Sequence, residues 1–285
     1  VPLTASEVPV PSPSPLAWLW LTAADTPAHP DAVTDLFTRR LDGMTVAGAF
    51  PEAACRHAAA TLTARKGEAT DTMFGSMLAM ALADLGRLTG DPHDRTPYLN
   101  QTERCRAHYQ EAFGFDPHQR LREVIEPMTG GRPLVPPTEA GRSYNPGNLR
   151  WFEPGGGGLP AHVGNEFDIH SGAAGEHLRT LADTTDHLSY FVVVQAPEEG
   201  GELSVFDLLH GSAVAAPPWT DVGRDDRALD GRVALAVPPR VGDLLLFGGG
   251  WRWHRVEPVF GTIARITYGG FASRSRDGHA VYFWF

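Results

Sequence analysis

The sequence predicts an α+β protein, with helices first and a β-sandwich or barrel afterwards. Two observations point there. Between about Pro51 and Gly130, apolar residues recur at helical spacing. After Gly130, short runs of β-branched and aromatic residues alternate with Pro- and Gly-rich turns, the pattern of closely spaced strands. That order of elements suits helices that brace the outside of a barrel. The 285 residues, 42% of them hydrophobic, can bury one large core. We therefore expect one integrated domain: a mainly helical region over 1–135 and a strand-rich core over 136–285.

Taken in order, residues 1–15 are rich in Pro, Ser and Val and read as an extended lead-in. Pro51 is placed where a first helical turn tolerates it, and an Ala-rich helix follows to about Ala64. A second helix is predicted over Asp71 to Thr89, with Met73, Phe74, Met77, Leu78, Ala81, Leu82 and Leu85 on its buried face and Gly90 as its stop. Two more fit 97–113 and 117–127. Strands are predicted at Asn148 to Phe152, Leu159 to Val163, Leu188 to Val194 and Leu203 to Phe206. Further strands fit Val233 to Val237, Asp243 to Phe247, Ala264 to Phe271 and Val281 to Phe285. Gly155 to Gly158 joins two strand-like segments, so it reads as a flexible turn, not a phosphate loop. The polar segment 208–232 suits either a lid over substrate or a surface loop.

The net charge of −10 argues against a nucleic-acid polymer, which needs clustered cations. A small anion remains compatible, since a few local arginines suffice. Cys55 and Cys105 lie far apart in helical segments and read as reduced core thiols. The most apolar N-terminal stretch, Leu16 to Leu21, is too short to span a bilayer, so we expect a soluble cytoplasmic protein with no membrane partner.

Three neighbourhoods single out two of the twelve histidines. LPAHVGN (159–165) leads an apolar run into His162. EEGGELSVFD (198–207) is a turn feeding a strand. VGDLLLFGGGWRWHRVEPVFGTIARITYGGF (241–271) carries a turn and a buried strand to His254 and then to Arg265. In this order the motifs resemble the iron/2-oxoglutarate oxygenase superfamily, and the resemblance covers 142–285. It implies a double-stranded β-helix (jelly-roll, cupin-like) core, iron(II) bound by His162 and His254, and Arg265 paired with the distal carboxylate of 2-oxoglutarate. The chemistry agrees: imidazoles suit Fe(II), and a guanidinium offers a planar fork to a carboxylate. Thr267 shares a strand face with Arg265 and can donate to the same carboxylate.

The family pattern has Asp or Glu two residues after the first histidine; this chain has Gly164. Glu166 lies roughly 13 Å of strand from His162, too far to share an ion without a bend, and Asp168 lies farther. His170 also opens a His-x-Gly, but in a polar stretch. A His-x-Gly at this point resembles the iron/2-oxoglutarate halogenases, in which a halide takes the carboxylate's place. The resemblance implies Gly164 as the halide position, with chloride, O2 and 2-oxoglutarate as reagents and chlorination of an unactivated C–H as the outcome. Chain length, histidine separation and the YFWF ending resemble the halogenases of free small molecules, with no carrier protein. These act on hapalindole-type alkaloids or on 2′-deoxyadenosine monophosphate.

For a nucleotide substrate, the candidate phosphate-pairing residues are Arg142, Arg150 and Arg252, the last on the strand face of His254. Candidate stacking rings are Tyr144, Trp151, Trp219 and Trp251. Each has an ordinary surface or core role as its alternative. Two other function classes stay open: a hydroxylase or oxygenase that recruits Glu166 or Asp168 to the metal, and a non-catalytic barrel that binds a ligand.

Overall fold

The computed structural model describes residues 16–72, 75–167, 172–212, 218 and 224–285. Two sheets face each other. The larger has ten strands, running in space through Trp18–Thr22, Gly43–Ala47, Leu244–Phe247, Leu188–Gln195, Arg265–Arg274, Asn148–Phe152, Gly75–Met77 and Thr70–Thr72. Val281–Trp284 pairs with Arg265–Arg274 and also with Leu134–Val135. The smaller sheet orders Val233–Val237, Leu203–Leu209, Arg252–Val256 and Leu159–His162. This is the expected jelly-roll arrangement, and each strand predicted after Gly130 is present to within a few residues.

The period-two rule explains how one strand serves two layers. Along Leu244–Phe247, Leu244 and Leu246 join the core shared with the helices, whereas Leu245 and Phe247 join a cluster with Val193, Leu203 and Val205 between the sheets. Arg265–Arg274 behaves alike: Ile266 and Tyr268 pack into the helix-side core, while Arg265 and Thr267 line the inter-sheet cavity. Gly269 is needed there because a Cβ would lie 2.6 Å from that of Phe191 on the neighbouring strand. The helices cover the outer face. Tyr109 and Phe113 of the Thr96–Phe113 helix pack edge-on against Tyr268, with ring centroids 5.3 and 5.8 Å away.

The helices at Glu52–Thr63, Thr96–Phe113 and Pro117–Ile125 match the expectation. Among the described residues, the predicted helix over Asp71 to Thr89 does not form as one element; Met73 and Phe74 of its expected buried face lie outside the described residues. Thr70–Thr72 and Gly75–Met77 pair antiparallel, Ser76 and Met77 pair with Trp151 and Arg150, and α-helix begins only at Leu85, after a 3-10 turn over Leu82–Asp84. The apolar periodicity was real, but the unpaired edge of Asn148–Phe152 offers backbone partners that a short surface helix cannot match. Gly90 does end the helix, in the left-handed region at φ 82°. The sheet also takes two strands from the region before Pro51, the first containing Leu19 to Leu21. The first half of the chain therefore braces the barrel and helps to build it. Cys55 and Cys105 are free and buried, and burial pushes the Cys55 thiol up to about 12. Among the described residues, no helix is long and apolar enough to cross a membrane.

Candidate metal centre

His162 ends one strand of the smaller sheet and His254 lies in the middle of its neighbour. Antiparallel register sets them directly opposite, with ring centroids 4.1 Å apart. Both rings are buried, and each is oriented by the same local device. His162 Nδ1 donates to the carbonyl of Pro160 (2.8 Å) and His254 Nδ1 to that of Arg252 (2.9 Å), in each case two residues back. With the proton held at Nδ1, the Nε2 lone pair of each ring is the one available to a metal. Burial holds both imidazoles well below the ordinary histidine range, His254 at about 4, so both are neutral as ligation requires. The donor set therefore fits a divalent iron.

Gly164 stands two residues beyond His162, in a 3-10 turn over Gly164–Glu166. Its N–H donates to the carbonyl of Gly249 (2.7 Å), and that of Asn165 to Gly250 (3.0 Å), so the turn is laced to the Gly-rich loop before Trp251. A Cβ on Gly164 would lie 2.5 Å from His187 Nε2. Glu166, the carboxylate that an oxygenase would recruit, accepts from both guanidinium nitrogens of Arg224 (3.1 and 3.3 Å). Arg224 in turn donates to the carbonyl of Ala161 and lies over the ring of Trp253. Among the described residues, no set of three or more His, Cys, Asp or Glu is placed to hold a metal. Asp168 and His170 lie outside the described residues.

The histidines open into a cavity of about 130 Å³ between the sheets. Arg265 and Thr267 line it from the larger sheet, as the alternation of that strand requires. Arg265 is 2% exposed, its guanidinium 5.0 Å from the ring centroid of Phe191, and its Nε has no hydrogen-bond partner. Burial, reinforced by nearby Arg150, pushes its pKa down to about 9. A buried cation with an orphaned donor fits an incoming carboxylate. Arg150 lines the same cavity and is likewise pushed down by burial, to about 10, with Asp84 acting in the opposite direction.

Of the other sequence-predicted binding residues, those among the described residues do not line the cavity. Arg252 forms an ion pair with Asp42, Arg142 donates to Asn100 (2.8 Å), and Tyr144 donates to Glu139 (3.0 Å) within a separate cluster. Strand alternation had nominated Arg252, but the carboxylate of Asp42 engages its side chain. Trp151 and Trp251 are packed in the main core. Trp219 lies outside the described residues, as do 213–217 and 220–223 of the 208–232 segment. Asp84, His187, Ser189 and Phe247 also line the cavity, and no motif in the sequence marks the first three. Ser189 and Phe191 alternate along a predicted strand and were open to nomination on that ground. His187 precedes the strand and carried no such signal.

The model of the family described as carrier-protein-independent halogenase WelO5 matches residues 15–285. Among curated proteins, none matches the chain. Two solved structures of an N-substituted L-amino acid dioxygenase from Burkholderia ambifaria AMMD are similar in fold. The complex with alpha-KG has 15% identity and a TM-score of 0.54, covering 88% of this chain and 90% of that one. The second has 14% identity and a TM-score of 0.51 over the same shares.

Proposed function

Because the chain belongs to the family of carrier-protein-independent halogenases, we propose that it chlorinates an unactivated C–H of a free nucleotide such as 2′-deoxyadenosine monophosphate, with iron(II) held by His162 and His254. It is a non-haem iron, 2-oxoglutarate-dependent oxidoreductase, and its substrate is a free small molecule. Its reagents are Fe(II), 2-oxoglutarate, O2 and chloride. Iron(II) held by His162 and His254 would supply the oxidising chemistry, in which 2-oxoglutarate and O2 are consumed with chloride and a proton, succinate, CO2 and water are released, and a substrate hydrogen is replaced by chlorine.

The chain's own residues divide the remaining work. His162 and His254 present Nε2 because their own backbone carbonyls hold Nδ1–H. Gly164 supplies no ligand and leaves its place to chloride. Arg265, with Thr267, pairs with the distal carboxylate of 2-oxoglutarate. Apolar walls that include Leu159, Phe167 and Phe247 keep water from the reacting carbon.

The observation that carries the nucleotide reading is a second guanidinium lining the cavity, that of Arg150. Arg265 accounts for the cosubstrate; Arg150 calls for another anion in the same cavity, and a phosphate supplies one. Phe271 and Phe285 line that cavity with parallel rings 5.9 Å apart, and Arg150 lies 5.9 Å from the Phe285 centroid. They are aromatic surfaces for a base. A second reading, an alkaloid-like substrate, draws on the predominantly apolar lining.

The test is anaerobic loading with Fe(II), 2-oxoglutarate and chloride, then O2, against 2′-deoxyadenosine monophosphate, the free nucleoside and an apolar indole alkaloid. Mass spectrometry should show a chlorine isotope pattern on the nucleotide. Chlorination of the alkaloid alone would overturn the nucleotide reading, and hydroxylated product alone would overturn halogenation.

A further inference from the structure

We propose that His187 is a positioning residue that closes position 164 to any side chain, so that a carboxylate is excluded by shape as well as by sequence. The inference rests on the reading of Gly164 as the halide position.

A Cβ on Gly164 would lie 2.5 Å from His187 Nε2, closer still to its Cε1, and 3.2 Å from the carbonyl oxygen of Gly249. A mobile side chain would swing aside, but His187 is fixed by ring packing and backbone hydrogen bonds. It is 1% exposed, and its ring meets Phe271 edge-on at 4.7 Å and Trp284 at 5.8 Å. Its Nδ1 donates to the carbonyl of Thr184 (3.1 Å), and its own carbonyl accepts from Gly250 N–H (2.9 Å). The preceding residue, Asp186, has φ 56°, in the left-handed region that Asp tolerates better than most non-glycine residues. Asn165 and Asp186 exchange two hydrogen bonds (2.8 and 3.1 Å), and Arg39 forms an ion pair with Asp186.

The backbone at 164 cannot retreat either, since Gly164 and Asn165 are both bonded to the Gly249–Gly250 segment. The loop that carries the empty ligand position and the turn that carries His187 are thus tied together through Asn165 and Asp186. A halide ion needs no Cβ and can use a metal face that this packing denies to Asp or Glu. Restoring a carboxylate ligand therefore requires two changes, with His187 removed before or together with Gly164→Asp.

The test is a cycle of Gly164→Ala, His187→Ala and the double variant, followed by thermal unfolding, with Gly164→Asp then added in each background. Gly164→Ala should lower the melting midpoint by roughly 3–10 °C in the wild-type background, as overpacking of a filled site does, and should cost nothing further with His187→Ala. In chloride-free buffer, Gly164→Asp/His187→Ala should bind Co(II) about tenfold or more tighter than His187→Ala alone. Gly164→Asp alone should show no gain over wild type. An equal melting penalty in both backgrounds, an affinity gain in Gly164→Asp alone, or no gain in the double variant would each overturn the proposal. Failure of the underlying reading is seen separately: a wild-type Fe(II)–2-oxoglutarate absorption band indifferent to chloride removes the halide and leaves the steric coupling intact.

Discussion

Arg150 stands directly opposite Thr267 in the ladder between Asn148–Phe152 and Arg265–Arg274, and it shares one cavity with Arg265. Burial depresses both guanidiniums, and Arg150 adds to the depression of Arg265. Two cations in one low-dielectric space repel each other, and each anion that enters relieves part of that cost. This predicts ordered roles. Arg265→Gln should weaken 2-oxoglutarate binding by about 1.5–3 kcal/mol, the range of a hydrogen bond to a charged group. Arg150→Gln should leave that affinity within about threefold and raise the substrate KM by roughly 10–100-fold. Calorimetric titration and steady-state kinetics on both variants check the assignment; an exchange of the two phenotypes would reverse it.

The phosphate itself can be removed. If Arg150 reads it, 2′-deoxyadenosine should show a KM raised by about tenfold or more over its monophosphate in wild type, with little difference in Arg150→Gln. Equal turnover of nucleoside and nucleotide by the wild-type enzyme would detach Arg150 from any phosphate.

Arg142 and Arg252 should behave as structural residues. Arg142→Ala breaks a bond to Asn100 and should leave KM unchanged. Arg252→Ala leaves Asp42, which also accepts from Ala17 N–H, without its cation, and should cost about 1.5–3 kcal/mol of stability. Denaturant unfolding measures the cost, and a raised substrate KM for Arg142→Ala would return that residue to the candidate site.

The metal assignment is tested by contrast. His254→Ala should lose stoichiometric Fe(II) binding, because one of the two facing imidazoles is gone. Glu166→Gln should keep iron affinity and chloride-dependent turnover while lowering the melting midpoint, since its carboxylate pairs with Arg224. Full iron affinity in His254→Ala, or its loss in Glu166→Gln, would move the ligand set toward that of an oxygenase.

The sequence by itself determined most of the strand ladder, because alternation and turn residues are local signals that the jelly roll preserves. The two histidines brought face to face were nominated by the strand-like run leading into each together with the resemblance of the ordered motifs to the iron/2-oxoglutarate oxygenases, which also implied Arg265. Tertiary structure alone decided three matters. Thr70–Thr72 and Gly75–Met77 became strands because an unpaired sheet edge was within reach, and helical periodicity carries no information about that edge. Of three candidate arginines, only Arg150 reached the cavity; Asp42 and Asn100, 210 and 42 residues away in sequence, engage the others. The closure of position 164 depends on His187, 23 residues on and in no motif with it. Local pattern sets what a segment can form, whereas which charged or bulky groups meet is fixed by contacts between distant segments.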